Sequence, residues 1–243
     1  MFAIYLKELN AFFSSLIGYL ALGVFLLVMG LFVWIFPDTG VLDYGFASLD
    51  MLFVTAPWVF MFLIPAITMR SFSEELSGGT FELLATRPLK DAEIIIGKYL
   101  AALTLVLFSL LPTSIYYFSV YLLGAPAGNI DSGATTGSYI GLLLIGSTFV
   151  SIGIFTSSVT RNQIVAFVLA MFVCYIFFDA FERLSKLDIF YARVDDIVEQ
   201  TGINAHYTSI SRGVLDTRDL VYFISLNAIF IRLTHLVLQS RKW

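Results

Sequence analysis

The sequence is short of charge, of cysteine and of histidine. Charged residues make up 13% of its 243 positions, about half the share found in an ordinary soluble domain. Its one cysteine, Cys174, excludes a disulfide within the chain and is expected to be a small packing residue, because its neighbours are apolar. The net charge of −4 and the lack of any basic cluster argue against a nucleic-acid partner.

Residues that carry catalysis or bind metals are equally sparse. The two histidines, His206 and His235, have no second ligand nearby in sequence, so no metal site is predicted. No Ser-His-Asp order and no paired carboxylates stand out, so no catalytic residue is assigned and the chain is expected not to be an enzyme. The stretch SGGTFELL, residues 77–84, lacks the lysine of a G-x-x-x-x-G-K-[ST] phosphate loop. If ATP drives this protein, a separate chain must hydrolyse it.

Long apolar runs dominate what is present. Hydrophobic residues make up 58% of the chain, which is more apolar surface than one core of this size can bury. A membrane-spanning helix needs about 20 mostly apolar residues. Six runs qualify: roughly 16–36, 52–69, 99–123, 139–159, 164–180 and 219–238. The sequence therefore predicts an all-α polytopic membrane protein with six transmembrane helices, the fourth and fifth forming a hairpin across the turn at 160–163.

Lysine and arginine are distributed unevenly among the loops between these runs. The loops 37–51 and 124–138 contain neither residue. Cytoplasmic loops are enriched in both, so the two termini are predicted to lie in the cytoplasm. This orientation places eight basic residues inside: Lys7, Arg70, Arg87, Lys90, Lys98, Arg161, Arg241 and Lys242.

Two segments outside the apolar runs have a helical pattern. Residues 1–15 carry apolar side chains at helical spacing and predict a helix in the membrane interface that bends into the first span near Ser14 and Ser15. The alternative is that the first span simply begins earlier. The outer segment 181–218 predicts one or two short helices that rest on the outer face of the bilayer or re-enter it, with a helix stop near Gly202 and Asn204.

The segment 70–98 concentrates nine charged residues in an otherwise apolar chain. Ser71 with Glu74 fits a capping box that starts a helix, and Gly78–Gly79 is typical of a helix end. Thr80 can cap a second helical turn over FELLA, residues 81–85, and Asp91 is expected to cap a third helix. Lys98 is expected to extend toward the lipid headgroups. Apolar residues among these charges resemble an interface core with a charged rim. The residues alone leave two interpretations open, a docking site for a cytosolic protein and an ordinary interfacial loop.

The same segment resembles a known family. EELSGGTFELLATRPLKDAEIIIGKYL is similar to the cytoplasmic loop of ABC-2 type permeases, in which a coupling helix binds a separate ATPase subunit. The resemblance implies one permease domain over 1–243, no cofactor on this chain, and ATP with Mg²⁺ in a partner ATPase. It also implies that nine residues contact that ATPase: Ser73, Glu74, Glu75, Leu76, Gly79, Thr80, Phe81, Glu82 and Leu83.

Both ends of the chain resemble one branch of this family. YLKELNAFFSSLIGY and GINAHYTSISRGVLDTRDLVYF are similar to gliding-motility-associated permeases. The branch implies a bacterial inner membrane, a second permease subunit that is identical or related, and a link to gliding motility or its secretion machinery. The transported substrate is not implied. A non-transporting membrane anchor is the alternative, and a secondary carrier is disfavoured because acids within the spans are few.

Polar residues inside the spans are candidates for a translocation path or a subunit interface. Five were selected by type and position: Thr113, Tyr117, Ser147, Ser151 and Arg232. Ser147 and Ser151 form a small-xxx-small pair, which favours close helix contacts. Packing within one subunit is the alternative for the hydroxyl residues. For Arg232, extension of the guanidinium toward the inner interface is the alternative.

Overall fold

A computed structural model describes residues 1–37, 39–43, 45–80, 90–186 and 193–241. Throughout these residues all regular structure is helical and no strand occurs, which confirms the predicted all-α class. The first helices are α1 (Phe2–Phe13), α2 (Leu16–Gly30), α3 (Asp50–Thr68), α4 (Arg70–Ser77), α5 (Asp91–Leu110) and α6 (Ser114–Leu123). The later ones are α7 (Ser132–Val159), α8 (Gln163–Tyr175), α9 (Phe181–Ser185), α10 (Arg193–Thr201), α11 (Ile203–Ser211) and α12 (Thr217–Ser240).

Six stretches of these helices are long and apolar enough to cross a membrane, as predicted. We number them spans one to six: Gly18–Ile35, Asp50–Ser77, Asp91–Leu123, Ser132–Val159, Gln163–Ser185 and Thr217–Ser240. The observed helices extend beyond several of the predicted apolar runs, because polar residues at a helix end lower the local hydrophobicity without ending the backbone hydrogen bonding. Spans four and five form the predicted hairpin, with the Asn162 side chain accepting a hydrogen bond from the Ile164 N–H at 2.9 Å.

Span four is the central helix of the bundle and contacts spans two, three, five and six. Small residues permit these close approaches. A Cβ added at Gly146 would lie 2.7 Å from Val106 of span three, and one added at Gly153 would lie 2.0 Å from the Thr68 hydroxyl oxygen of span two. Thr68 is fully buried and donates a hydrogen bond to the Ile64 carbonyl at 2.8 Å. The bundle therefore has no room for a larger residue at Gly153.

Gly153→Ala is expected to lower the free energy of unfolding by about 1 to 3 kcal/mol, because a methyl group must displace a buried threonine. Gly23→Ala is the matched control in span one, where an added Cβ meets no atom within 4 Å. That change is expected to be neutral or stabilising, since alanine favours helices more than glycine. Thermal unfolding of both variants in detergent measures the difference. Equal midpoints for the two variants would contradict the described packing.

The N-terminal helix α1 is separate from span one, as the pattern of residues 1–15 predicts. It ends at Phe13, and the Ser15 hydroxyl accepts a hydrogen bond from the Gly18 N–H at 3.2 Å, which starts the next helix. A Cβ at Gly97 of span three would lie 3.1 Å from the Met1 carbonyl oxygen, so α1 packs closely along span three. We call α1 the elbow helix.

Span five ends in the short helix α9, and the described residues after it form two more short helices, α10 and α11, with residues 187–192 outside the described part. Gly202 separates α10 from α11 as predicted, whereas Asn204 lies inside α11 and does not end a helix. The α11 helix packs into the bundle: Ile203 and Ile210 are fully buried, and the Tyr207 hydroxyl donates to the Phe53 carbonyl of span two at 2.9 Å. The α11 helix is therefore held by contacts with the other helices of the bundle.

Candidate functional site

The charged segment and both termini meet at one end of the bundle, which we call the elbow end. The elbow helix and α4 lie there with the start of span three, joined by the ion pairs of Lys98. The Arg241 guanidinium donates to the carbonyls of Ser158 and Val159 at 3.0 and 2.8 Å, which fixes the end of span six beside the end of span four. At the opposite end of the bundle, span five ends in α9, and α10 and α11 follow it.

The α4 helix is the last part of span two and follows a break in the helix at Met69. The predicted cap at Ser71 is wrong: α4 begins at Arg70, and no side chain caps it. A helix start leaves N–H groups without carbonyl partners, and here a residue of another span supplies the acceptor. The predicted end at the glycine pair is confirmed, since Gly78 follows the last residue and Gly79 has φ +66°, a conformation that favours glycine.

Ser157 of span four is the residue that holds this break. Its hydroxyl oxygen accepts hydrogen bonds from the N–H groups of Phe72 and Ser73 at 2.9 and 3.1 Å. The same hydroxyl donates to the Met69 carbonyl at 3.0 Å. Ser157, Phe72 and Ser73 are all fully buried, so these bonds are shielded from competing water. The first turn of α4 is thereby fixed to span four.

An ion cluster centred on the buried Lys98 fixes the other side of α4, and its other members are Glu8, Glu75 and Lys7. The Lys98 ammonium donates to Glu8 at 2.8 Å, to Glu75 at 3.0 Å and to the Ser71 carbonyl at 2.6 Å. An ammonium group has three hydrogens, so its donor capacity is used in full. The Lys98 side chain is 1% exposed, and the expected extension toward headgroups is wrong. Two carboxylates that fold close to the ammonium stabilise its charge inside the protein.

The cluster joins three elements that are distant in sequence. Glu8 and Lys7 belong to the elbow helix, Glu75 to α4 and Lys98 to span three. Lys7 donates to the same Glu75 oxygen at 3.1 Å. Partial burial acts to lower the pKa of Lys7, but the hydrogen bond and charge of Glu75 outweigh it and raise that pKa above the ordinary value. Two positive and two negative charges make the cluster electrically neutral.

Span three starts one residue away from the predicted cap. Lys90 precedes the helix, and Asp91 is its first residue rather than its cap. The Glu93 carboxylate accepts a hydrogen bond from the Lys90 N–H at 3.1 Å, so the side chain that secures this end is the third residue of the helix.

The nine residues predicted to contact an ATPase do not share one environment. Three are exposed at the elbow end: Glu74, Gly79 and Thr80. Three are buried or half-buried against the bundle: Ser73, Glu75 and Leu76. Three lie outside the described residues: Phe81, Glu82 and Leu83. One face of α4 therefore binds the rest of the subunit, while the opposite face and the following turn are available to a partner.

A comparison with known protein families gives a match that fits the six-span fold and the charged elbow end. A family model described as ABC-2 family transporter protein matches residues 16–204, which is more than half of the chain. The chain belongs to the ABC-2 transporter family. It is a multi-pass membrane protein, and ABC-2 permeases work with a cytosolic ATPase. A comparison with curated proteins finds no match.

The hydroxyl residues predicted to line a path of this ABC-2 protein make contacts inside the subunit. The Thr113 hydroxyl lies 3.1 Å from the Tyr139 hydroxyl, and the Tyr117 hydroxyl lies 2.8 Å from that of Ser132. Ser151 is 1% exposed and donates to the Thr148 carbonyl. Such contacts are expected if these residues pack within one subunit, which is the alternative to lining a path. They leave open what a second subunit adds.

Arg232 differs from these hydroxyl residues, because its side chain is exposed on the surface of span six. Its guanidinium lies 3.4 Å from the His235 ring nitrogen Nδ1, one turn closer to the elbow end. That direction agrees with extension toward the interface. It also leaves the guanidinium available to a group outside this chain.

Asn227 is a functional candidate that sequence reasoning missed. Its amide donates to the Ser147 hydroxyl at 3.0 Å and accepts from the Tyr99 hydroxyl at 3.3 Å, which joins spans six, four and three. An amide in the middle of span six is a signal in itself, because interhelical hydrogen bonds hold membrane helices together.

Proposed function

We propose that this protein is the membrane-spanning permease subunit of an ATP-driven export complex, and that the exposed face of α4 with Gly79 and Thr80 docks a cytosolic ABC ATPase. The observation that supports this most strongly is the asymmetry of α4. Its inner face is fixed by Ser157 and by the ion cluster, and its outer face carries the exposed Glu74. A segment so rigidly attached transmits a displacement instead of absorbing it.

The same contacts define which parts move together. A displacement of α4 by the ATPase tilts spans two and three, because α4 is part of span two and is bonded to Lys98 of span three. In this proposal the moving unit also includes the elbow helix, through Glu8, and the start of α4 stays in register with span four, through Ser157. ATP binding in the partner would then shift the elbow helix and span three with α4. The chain itself is proposed to supply no catalytic group, and ATP with Mg²⁺ is assigned to the ATPase.

The proposed location is a bacterial inner membrane with both termini in the cytoplasm. It rests on the absence of lysine and arginine from the loops 37–51 and 124–138. It also agrees with the elbow end, which gathers α1, α4 and Arg241 on one side of the bundle. A cytosolic ATPase needs the docking surface on that side.

A role in gliding motility or its secretion machinery is the finer proposal, and it rests on the resemblance of the two ends of the chain. A second permease subunit, identical or related, is part of the same proposal. The largely exposed outer faces of spans one and six are available to it. A membrane anchor that transports nothing is the alternative function, because most polar side chains described within the spans bond to backbone carbonyls of the same subunit.

Affinity purification of the full chain from its native membranes tests the proposal. We expect an ABC ATPase to co-purify in a fixed ratio, and its ATP hydrolysis to change when candidate cargo such as lipid, peptide or saccharide is added. Hydrolysis that responds to none of these would favour the anchor. Transport by the isolated chain in vesicles, with no ATPase present, would overturn the proposal.

A further inference from the structure

A cavity of about 410 Å³ lies at the end of the bundle opposite the elbow end, between span two, span five and α11. Its size falls within the range of small-molecule sites, about 300 to 1,000 Å³. Span five has a π-helical turn here, Ile176–Ala180, which places Phe178 and Asp179 in the cavity wall. Such turns are rare and often occur at functional sites.

One side of this cavity is apolar and faces the outside of the bundle. Val54 and Trp58 of span two line it and remain 59% and 37% exposed. Phe62, one turn further along the same helix face, is 58% exposed. From Val54 to Phe62 this strip is roughly 12 Å long, at about 1.5 Å per helical residue. It provides a path from the cavity along the outside of the bundle, where lipid chains lie.

The rim of the cavity carries charges of both signs. Asp50 begins span two, and Arg212 follows the last residue of α11. Both line the cavity and both are exposed. Within the described residues neither has an ion-pair partner, whereas the nearby Asp179 is paired with Arg183. Asp50 and Arg212 thus form an unpaired anion and cation at the mouth of one cavity.

We propose that this cavity binds a zwitterionic phospholipid of the surrounding bilayer, such as a phosphatidylethanolamine. The lipid phosphate pairs with the Arg212 guanidinium, and the lipid ammonium pairs with the Asp50 carboxylate near the face of Trp58. One acyl chain follows the strip from Val54 to Phe62. An anionic lipid would place its charge against Asp50 without a compensating ammonium, so the site discriminates by headgroup.

Trp58 provides the measurement. In the full chain carrying Trp34→Phe and Trp243→Phe, Trp58 is the sole tryptophan, and acyl-brominated lipids quench its fluorescence in reconstituted vesicles. We expect brominated phosphatidylethanolamine to reach half-quenching at a roughly threefold to tenfold lower mole fraction than brominated phosphatidylglycerol. The preference should disappear in Asp50→Asn with Arg212→Gln. It should persist in the control Arg218→Gln, an exposed arginine of span six that does not line the cavity.

Equal quenching by the two lipids, or a preference that survives the double substitution, would overturn the proposal. Native mass spectrometry of the unsubstituted protein gives an independent reading, in which a retained phosphatidylethanolamine supports the site and a retained phosphatidylglycerol contradicts it. Neither measurement involves an ATPase, so the lipid site and the proposed export function fail or stand separately.

Discussion

Lys98→Met is expected to lower the midpoint of thermal unfolding by about 6 to 12 °C, because removing one partner from a buried ion cluster costs about 3 kcal/mol or more. The substitution preserves most of the side-chain volume and removes only the ammonium. Glu8 and Glu75 are both bonded to that ammonium in the folded protein and would then face each other with a single lysine, Lys7, beside them. The elbow helix should separate from α4 as a result.

Lys90→Met is the matched control, since Lys90 is an exposed lysine just before span three. We expect its unfolding midpoint to stay close to that of the unsubstituted protein. A triple variant that adds Glu8→Gln and Glu75→Gln to Lys98→Met removes the unpaired charges and should recover most of the lost stability. A midpoint for Lys98→Met that matches the Lys90→Met control would show that the ion cluster does not hold the elbow end together.

Ser157→Ala has the second largest expected effect. It removes the Ser157 oxygen that accepts from two buried backbone groups, the Phe72 and Ser73 N–H groups, at about 1 to 2 kcal/mol for each. The Met69 carbonyl keeps a hydrogen bond from the Ser73 hydroxyl. We expect the free energy of unfolding to fall by about 2 to 4 kcal/mol in all. In the complete complex, we also expect ATP hydrolysis to persist while its response to cargo weakens, because α4 loses its attachment to span four.

Ser158→Ala is an unusually close control for that substitution. Ser158 is the next residue, is equally buried, and donates only to the Phe155 carbonyl within its own helix. In a parallel denaturation experiment, Ser158→Ala should lower the free energy of unfolding by well under half the amount expected for Ser157→Ala. Similar losses for the two serines would mean that the bridge from span four to α4 contributes nothing specific.

The outline of the fold could be predicted because it depends on local properties of the chain. Apolar runs of membrane length predict the spans, and the glycine pair at 78–79 predicts the end of α4. Serines near the end of the first apolar pattern predict where the elbow helix stops. Each of these signals lies within a few residues of the feature that it specifies.

The arrangement of the candidate site depends instead on residues that are far apart in sequence. Lys98 is 90 positions from Glu8 and 23 from Glu75, so a pattern read along span three favours an exposed lysine that extends to the interface. Ser157 is one of several serines in a span rich in small residues, and its sequence neighbours do not distinguish it from Ser158. Only the packing of span four against the break at Met69 gives it a separate role.

The predicted helix starts failed for a related physical reason. A serine followed three residues later by a glutamate can cap an isolated helix, but span two does not end before Ser71. Its backbone continues, and Ser157 satisfies the N–H groups that a local cap would otherwise bind. A serine hydroxyl does bind the first N–H groups of α4, but it belongs to Ser157 of another span and not to the local Ser71.

The most direct test of the central claim is whether reversing the charge of Glu74 releases the ATPase. Glu74 is exposed, and among the described residues it forms an ion pair only with Arg70 of the same helix, at 3.0 Å, so Glu74→Lys should leave the permease folded. Glu199→Lys, an equally exposed acid at the opposite end, is the control. In affinity capture from native membranes we predict a loss of bound ATPase of about tenfold or more for Glu74→Lys and none for Glu199→Lys. Full retention of an active ATPase by Glu74→Lys would contradict docking on the exposed face of α4.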